Sequence, residues 1–69
     1  MYSDNFLNMN KSRKVNIYTT FPNSKEWRDN IFKGTIEDIG NDYILLKDSM
    51  TNKRIMIYTM FIDYIVIEE

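Results

Sequence analysis

The chain has 69 residues, nine Lys and Arg against ten Asp and Glu, and a formal net charge of −1, which allows one small domain and gives no global pull toward nucleic acid. It contains no cysteine and no histidine, so a disulfide framework, thiolate chemistry, a Ser-His-Asp triad and the usual zinc sites cannot be assembled from it. No apolar run approaches the ~20 residues needed to cross a bilayer, and Met1 to Asn10 lacks the basic-then-apolar layout of a secretory signal, so the chain is expected to be made and kept inside a cell.

Residues 1–13 read as an N-terminal segment ahead of a single β domain over residues 14–69. Within that segment, Asp4 to Asn10 has the makings of one helical turn, with Ser3 or Asp4 as a cap and Phe6, Leu7 and Met9 as its apolar residues. So short a turn needs a surface to dock on. Beyond it, β-branched and aromatic residues dominate and turn signals recur about every eight to twelve positions, which argues for an all-β fold. Strands are expected near 14–21, 30–39, 42–48, 53–59 and 62–68.

In the first strand Val15, Ile17 and Phe21 share one face and Asn16, Tyr18 and Thr20 the other, as the two-residue period requires. Pro22-Asn23-Ser24 is a loop. In the second strand Phe32, Gly34 and Ile36 share a face, and a glycine between two large residues marks sharp curvature or close backbone approach. Gly40-Asn41, a pair tolerant of positive φ, suits a hairpin turn. Ser49 to Asn52 makes a longer turn, and Met60-Phe61 a tight one before the last strand. Five strands in this order, with a bent second strand and a short turn before the fifth, suggest an SH3-like or Sm-like barrel.

Several groups invite a functional reading beside a plainer one. Glu37, Asp38, Asp42 and Asp48 gather around a hairpin, but their spacing follows no calcium loop, and acidic hairpin tips are ordinarily solvated turns. Lys11, Arg13 and Lys14 precede the first strand and Lys53-Arg54 opens the fourth; these basic spots meet phosphate only if the fold joins them, and otherwise protect strand ends. Tyr18, Tyr43, Tyr58 and Phe61 are able to stack bases, yet aromatics in a small β domain more often pair across strands. Trp27, in a polar loop between Glu26 and Arg28, either caps the barrel or anchors a protein interface.

The last strand alternates Ile62, Tyr64 and Val66 against Ile65 and Ile67. Both faces are apolar, and one barrel interior covers only one of them. Either the N-terminal turn or another chain is expected on the outer face. Carboxylates, hydroxyls and lysines occur without a convergent set, so neither an enzyme nor a bound cofactor is expected.

The order Tyr2-x-x-Asn5-x-Leu7-x-x-Asn10, Val15-x-Ile17-Tyr18-x-Thr20-Phe21, Lys25-Glu26-Trp27, Phe32-Lys33-Gly34, Asp42-x-Ile44-x-Leu46-x-Asp48, Thr51-x-Lys53-Arg54 and Asp63-Tyr64-Ile65 resembles the GerQ family of spore coat proteins over nearly the whole chain. The resemblance implies a structural protein of the coat or of the layer between coat and cortex, made in the mother-cell cytoplasm during sporulation. In that family such proteins are associated with transglutaminase cross-linking and with positioning a cortex-lytic cell-wall hydrolase needed for germination. Glu26, Trp27, Phe32, Lys33 and Gly34 would then be framework residues of the motif, and Trp27, Phe61, Tyr64, Ile65 and Ile67 the contacts to other coat proteins, to the hydrolase or to further copies of the chain.

Transglutaminase joins a glutamine carboxamide to a lysine amine, and the chain has no glutamine. Under the resemblance it is therefore expected to take part as the lysine donor, through Lys11, Lys14, Lys25 and Lys53. Longer members carry a polar, glutamine-rich region ahead of this domain, and the matching residues here begin at its edge. The runner-up reading is a cytoplasmic SH3-like or Sm-like adaptor for RNA or a peptide, against which the near-neutral charge weighs.

Overall fold

The structure, a computed structural model, describes residues 12–26 and 28–68. The expected helical turn over residues 4–10 lies outside them, as do Lys11 and Trp27. The chain runs β1 (Lys14–Thr20), β2 (Asp29–Ile39), β3 (Tyr43–Asp48), β4 (Arg54–Tyr58), a 3-10 turn (Thr59–Phe61) and β5 (Ile62–Ile67). Each strand end lies within one residue of its place in the sequence reading, because the punctuation is chemical. Asp48 accepts hydrogen bonds from the Met50 and Thr51 N–H groups through Oδ1 at 2.7 and 3.3 Å, and Asn52 takes the left-handed conformation at φ 60°. Such local bonds compete successfully with strand pairing and end it.

The five strands form one antiparallel sheet in the order β4-β3-β2-β1-β5. β4 and β5 follow each other in the chain yet occupy opposite edges. Four residue steps from Tyr58 to Ile62 span at most about 14 Å, whereas the edges of a flat five-stranded sheet are about 19 Å apart. The sheet therefore has to curl until its edges approach. This is the small, strongly bent SH3-like arrangement expected, although among the described residues no ladder joins β4 to β5 and the barrel is not closed by hydrogen bonds.

The bend is carried by β2, whose first half pairs with β1 and whose second half pairs with β3, the two ladders overlapping only at Gly34 and Thr35. Gly34 sits where the two regimes meet. A Cβ there would collide with the Lys47 carbonyl, whose carbon is 2.8 Å away, so close backbone approach is what requires the glycine. Gly40 has a different reason from the one its turn chemistry suggests, since no glycine has positive φ. The Tyr43 ring lies over it, with Cδ1 at 2.5 Å from a Cβ built there.

Val15, Ile17, Ile36, Ile44, Leu46, Ile57 and Ile62 form the core, with Phe32, Ile39, Ile55, Ile65 and Ile67 packed around it. Thr19 shares the inner face, and its hydroxyl donates to the Asn30 carbonyl at 3.3 Å, which offsets the cost of burying it. Two register shifts change the simple alternation. One falls between Ile36 and Asp38, so that Glu37 bulges and both Ile36 and Ile39 turn inward. The other lies opposite Tyr18 and Thr19, which pair with Tyr64 and Ile62. Asp63 is the extra residue, and it turns Ile62 into the core beside Ile65 and Ile67 instead of leaving it with Tyr64 and Val66.

Candidate interaction surface

With Ile62, Ile65 and Ile67 turned inward, the outer face of β5 keeps Tyr64 and Val66, which are 52% and 43% exposed. The register continues this face across β1 and β2. Tyr18 lies opposite both Tyr64 and Ile31, so Ile31, Tyr18 and Tyr64 make a straight row over three strands. The Tyr18 and Tyr64 rings stack with centroids 4.4 Å apart at 17°, a cross-strand aromatic pair of the kind that adds about 0.5–1 kcal/mol. Ile31 is 47% exposed at the end of the row.

A groove of about 460 Å³ opens between Tyr18, Ile31 and Tyr64, with Asp29, Asn30 and Asp63 at its end. Thr20 donates its hydroxyl to Asp63 Oδ2 at 2.5 Å. The bulge at Asp63 thus does two things: it sends Ile62 into the core and presents a carboxylate beside the aromatic pair. Large apolar side chains exposed side by side on a sheet face are the usual mark of a contact surface.

Of the other residues singled out in the sequence, Phe61 belongs to an aromatic cluster. Its ring is 5.3 Å from Phe21 and 6.5 Å from Tyr58, and Phe21 is 6.2 Å from Phe32, all edge to face. Phe61 is half-buried there, and Phe32 packs against the core. Ile65 and Ile67 are also half-buried and pack inward. Lys14, Lys25, Lys33, Lys53 and Glu26 are exposed. The four acidic residues around the hairpin do not form a metal-holding group among the described residues: Asp48 is occupied with turn N–H groups, and Glu37 takes the Arg54 guanidinium at 2.6 Å. That contact raises the Arg54 pKa above its ordinary value, first by hydrogen bonding and then by charge.

One arrangement was invisible without the register. Lys14 faces Thr35, Thr35 faces Lys47, and Lys47 faces Arg54. The fold therefore joins the two basic spots into one row across four strands, with Lys47 between them. Lys47 gave no sequence signal beyond its outward phase in the third strand. Lys14, Thr35 and Lys47 also line a shallow depression of about 300 Å³ with Ser49 and Asn52. No helix among the described residues is long and apolar enough to cross a membrane.

The family model described as Spore coat protein (Spore_GerQ) matches residues 1–69. The spore coat protein GerQ of Bacillus subtilis (strain 168) is 41% identical over 68 residues, covering 99% of this chain and 38% of that protein. The chain thus spans well under half the length of the curated relative it matches.

Proposed function

The chain belongs to the GerQ family of spore coat proteins, and from that premise we propose that it is a structural component of the spore coat whose β domain is an assembly and docking module. The observation that carries the docking role is the outer face of β2, β1 and β5, where Ile31, Tyr64 and Val66 remain exposed around a stacked tyrosine pair. A small domain gains nothing for its own stability by leaving such a face in water. Tyr64 is the central contact of this reading, joined by Phe61 at the end of the barrel and by Trp27.

On this reading the partners are other coat proteins and, at the finest level, a cortex-lytic cell-wall hydrolase held in place for germination. The exposed Lys14, Lys25 and Lys53, together with Lys11, supply amines for transglutaminase. The role needs no chemistry from the domain itself, and residues 14–69 act as the module with 1–13 as a leading segment. The protein would be made in the mother cell and then retained in the coat.

The test is an immunoblot across vegetative cells, sporulating cells and purified spores, with the spores split into detergent-soluble and insoluble fractions. Appearance during sporulation and retention in the insoluble fraction is expected, with a ladder of higher-mass bands where lysines are cross-linked. Constant presence in the cytosol of growing cells would overturn the coat role. A second reading, an adaptor for RNA, is favoured only by the row of Lys14, Lys47 and Arg54. Absence of a gel shift with single-stranded RNA at low salt disposes of it.

A further inference from the structure

The outer face of β2, β1 and β5 carries its charges and apolar groups in an order that is complementary to its own image. Ile31, Tyr18 and Tyr64 cross the middle as one row. On β2, Lys33 stands two residues to one side of Ile31 and Asp29 two residues to the other, both exposed and on the same face. On β1, Asn16 and Thr20 flank Tyr18 in the same way. Two residues of strand are about 6.6 Å, so the cation and the carboxylate lie at equal distances from the row. Lys14 extends the basic end, and Asp63 extends the acidic one.

We propose that this face pairs with the same face of a second copy of the chain, about a two-fold axis running along the row of Ile31, Tyr18 and Tyr64. A half-turn about an axis that lies in the plane of contact and crosses the strands reverses strand direction but keeps strand order. Each Lys33 then meets the Asp29 of the other copy, each Asn16 meets a Thr20, and the three central side chains meet their own counterparts. Sheets packed in this way sit about 10 Å apart with strands within about 30° of each other, which is within reach of a lysine and an aspartate.

Charge order is what selects a second copy over an unlike partner. A uniformly basic partner would be repelled at the Lys33 and Lys14 end, and a uniformly acidic one at the Asp29 and Asp63 end; the chain's own image is opposed correctly at both. Among the described residues neither Lys33 nor Asp29 is engaged in an ion pair. The interface is isologous and closes at two copies. Three strands cover only about 14 Å across, so the buried area falls at the low end for specific complexes and the dimer dissociates on dilution. This association rests on the docking reading of that face and makes a second copy its occupant, with other coat proteins left to the contacts at Phe61 and Trp27; its failure leaves the coat role, which the immunoblot tests, untouched.

The experiment is sedimentation equilibrium of the 69-residue chain and of two variants, Lys33→Asp and Asp29→Lys, each checked for an unchanged thermal transition. The parent is expected to approach twice its monomer mass as concentration rises, and to dissociate more readily at high salt. Each variant alone sets like charges against each other at both dimer contacts where the parent opposes Lys33 and Asp29, and should associate at least about tenfold more weakly. Mixed in equal amounts, the two variants restore opposite charge at both contacts, and the mixture should recover association near that of the parent. A parent that remains monomeric to millimolar concentration, or a mixture that associates no better than either variant alone, overturns the proposal.

Discussion

Gly34→Ala isolates the contact that lets β2 serve both halves of the sheet. An alanine in a strand ordinarily gains about 0.5–1 kcal/mol over glycine by restricting the unfolded chain. Here the sign should reverse. The added carbon would lie within the contact distance of the Lys47 carbonyl oxygen, 2.8 Å from its carbon and 3.2 Å from Asp48 Cα, where carbon contacts normally lie near 3.5 Å. All three are backbone atoms that cannot rotate aside, so β2 and β3 must separate, stretching the pairing at Ile36 and Leu46 and the 3.0 Å bond from Ser49 N–H to the Lys33 carbonyl.

Overpacking costs about 1–3 kcal/mol and a strained hydrogen bond about 1 kcal/mol more. After the entropic gain, the net loss is about 1–3.5 kcal/mol, against a total stability of roughly 3–10 kcal/mol for a domain of this size. At about 4–8 °C per kcal/mol, thermal denaturation followed by circular dichroism should show a fall of roughly 5–25 °C. Gly40→Ala is the control, because the atoms in its way belong to the Tyr43 ring, which swings outward; a fall of only a few degrees is expected there. A Gly34→Ala melting temperature equal to or above the parent's would refute the close approach of β2 and β3.

Ile17→Ala, at a fully buried position in the inner strand β1, should cost about 2–5 kcal/mol by urea denaturation, enough to unfold much of the population. Asp48→Ala removes the acceptor of two turn N–H groups and should cost about 1–2 kcal/mol, whereas Asp48→Asn keeps an acceptor oxygen and should retain most of that stability. Asn52→Gly, at φ 60°, should be close to neutral, whereas Asn52→Val should lower the melting temperature by several degrees. The raised pKa of Arg54 stabilises the folded state below the unfolded arginine pKa and is lost only as pH rises through the folded one. Both lie above the working range, so the contribution is constant between about pH 6 and 9; because the pair is exposed it is small, and Glu37→Gln should lower the melting temperature only slightly and by the same amount across that range.

What the sequence revealed and what it hid follow from the range of the interactions concerned. Strand positions were legible because turn residues act within a few positions of themselves, as Asp48 and Asn52 do. The faces of β1 were legible because its alternation is unbroken from Val15 to Thr19. Ile62 was assigned to the wrong side because the bulge at Asp63 exists only as a mismatch between β1 and β5, a relation between residues more than forty positions apart. The same limit applies to the outer surface. Tyr64 stood out as an apolar residue with no interior to fill, but its row with Tyr18 and Ile31, and the basic row through Lys47, are products of register.

The position of β1 also governs when the molecule is able to fold. Val15 pairs with Ile67, so the inner strand β1 waits for a strand that is translated after all the others. Until those residues leave the ribosome, β1 offers an open edge of alternating Val15, Ile17 and Thr19, and pairing at such sequence separation is slow because loop closure precedes any reward. During synthesis that edge is a template for any other strand nearby. A cell that makes many copies at once would meet this hazard at every ribosome, and the interval between Thr20 and Ile67 sets how long it lasts.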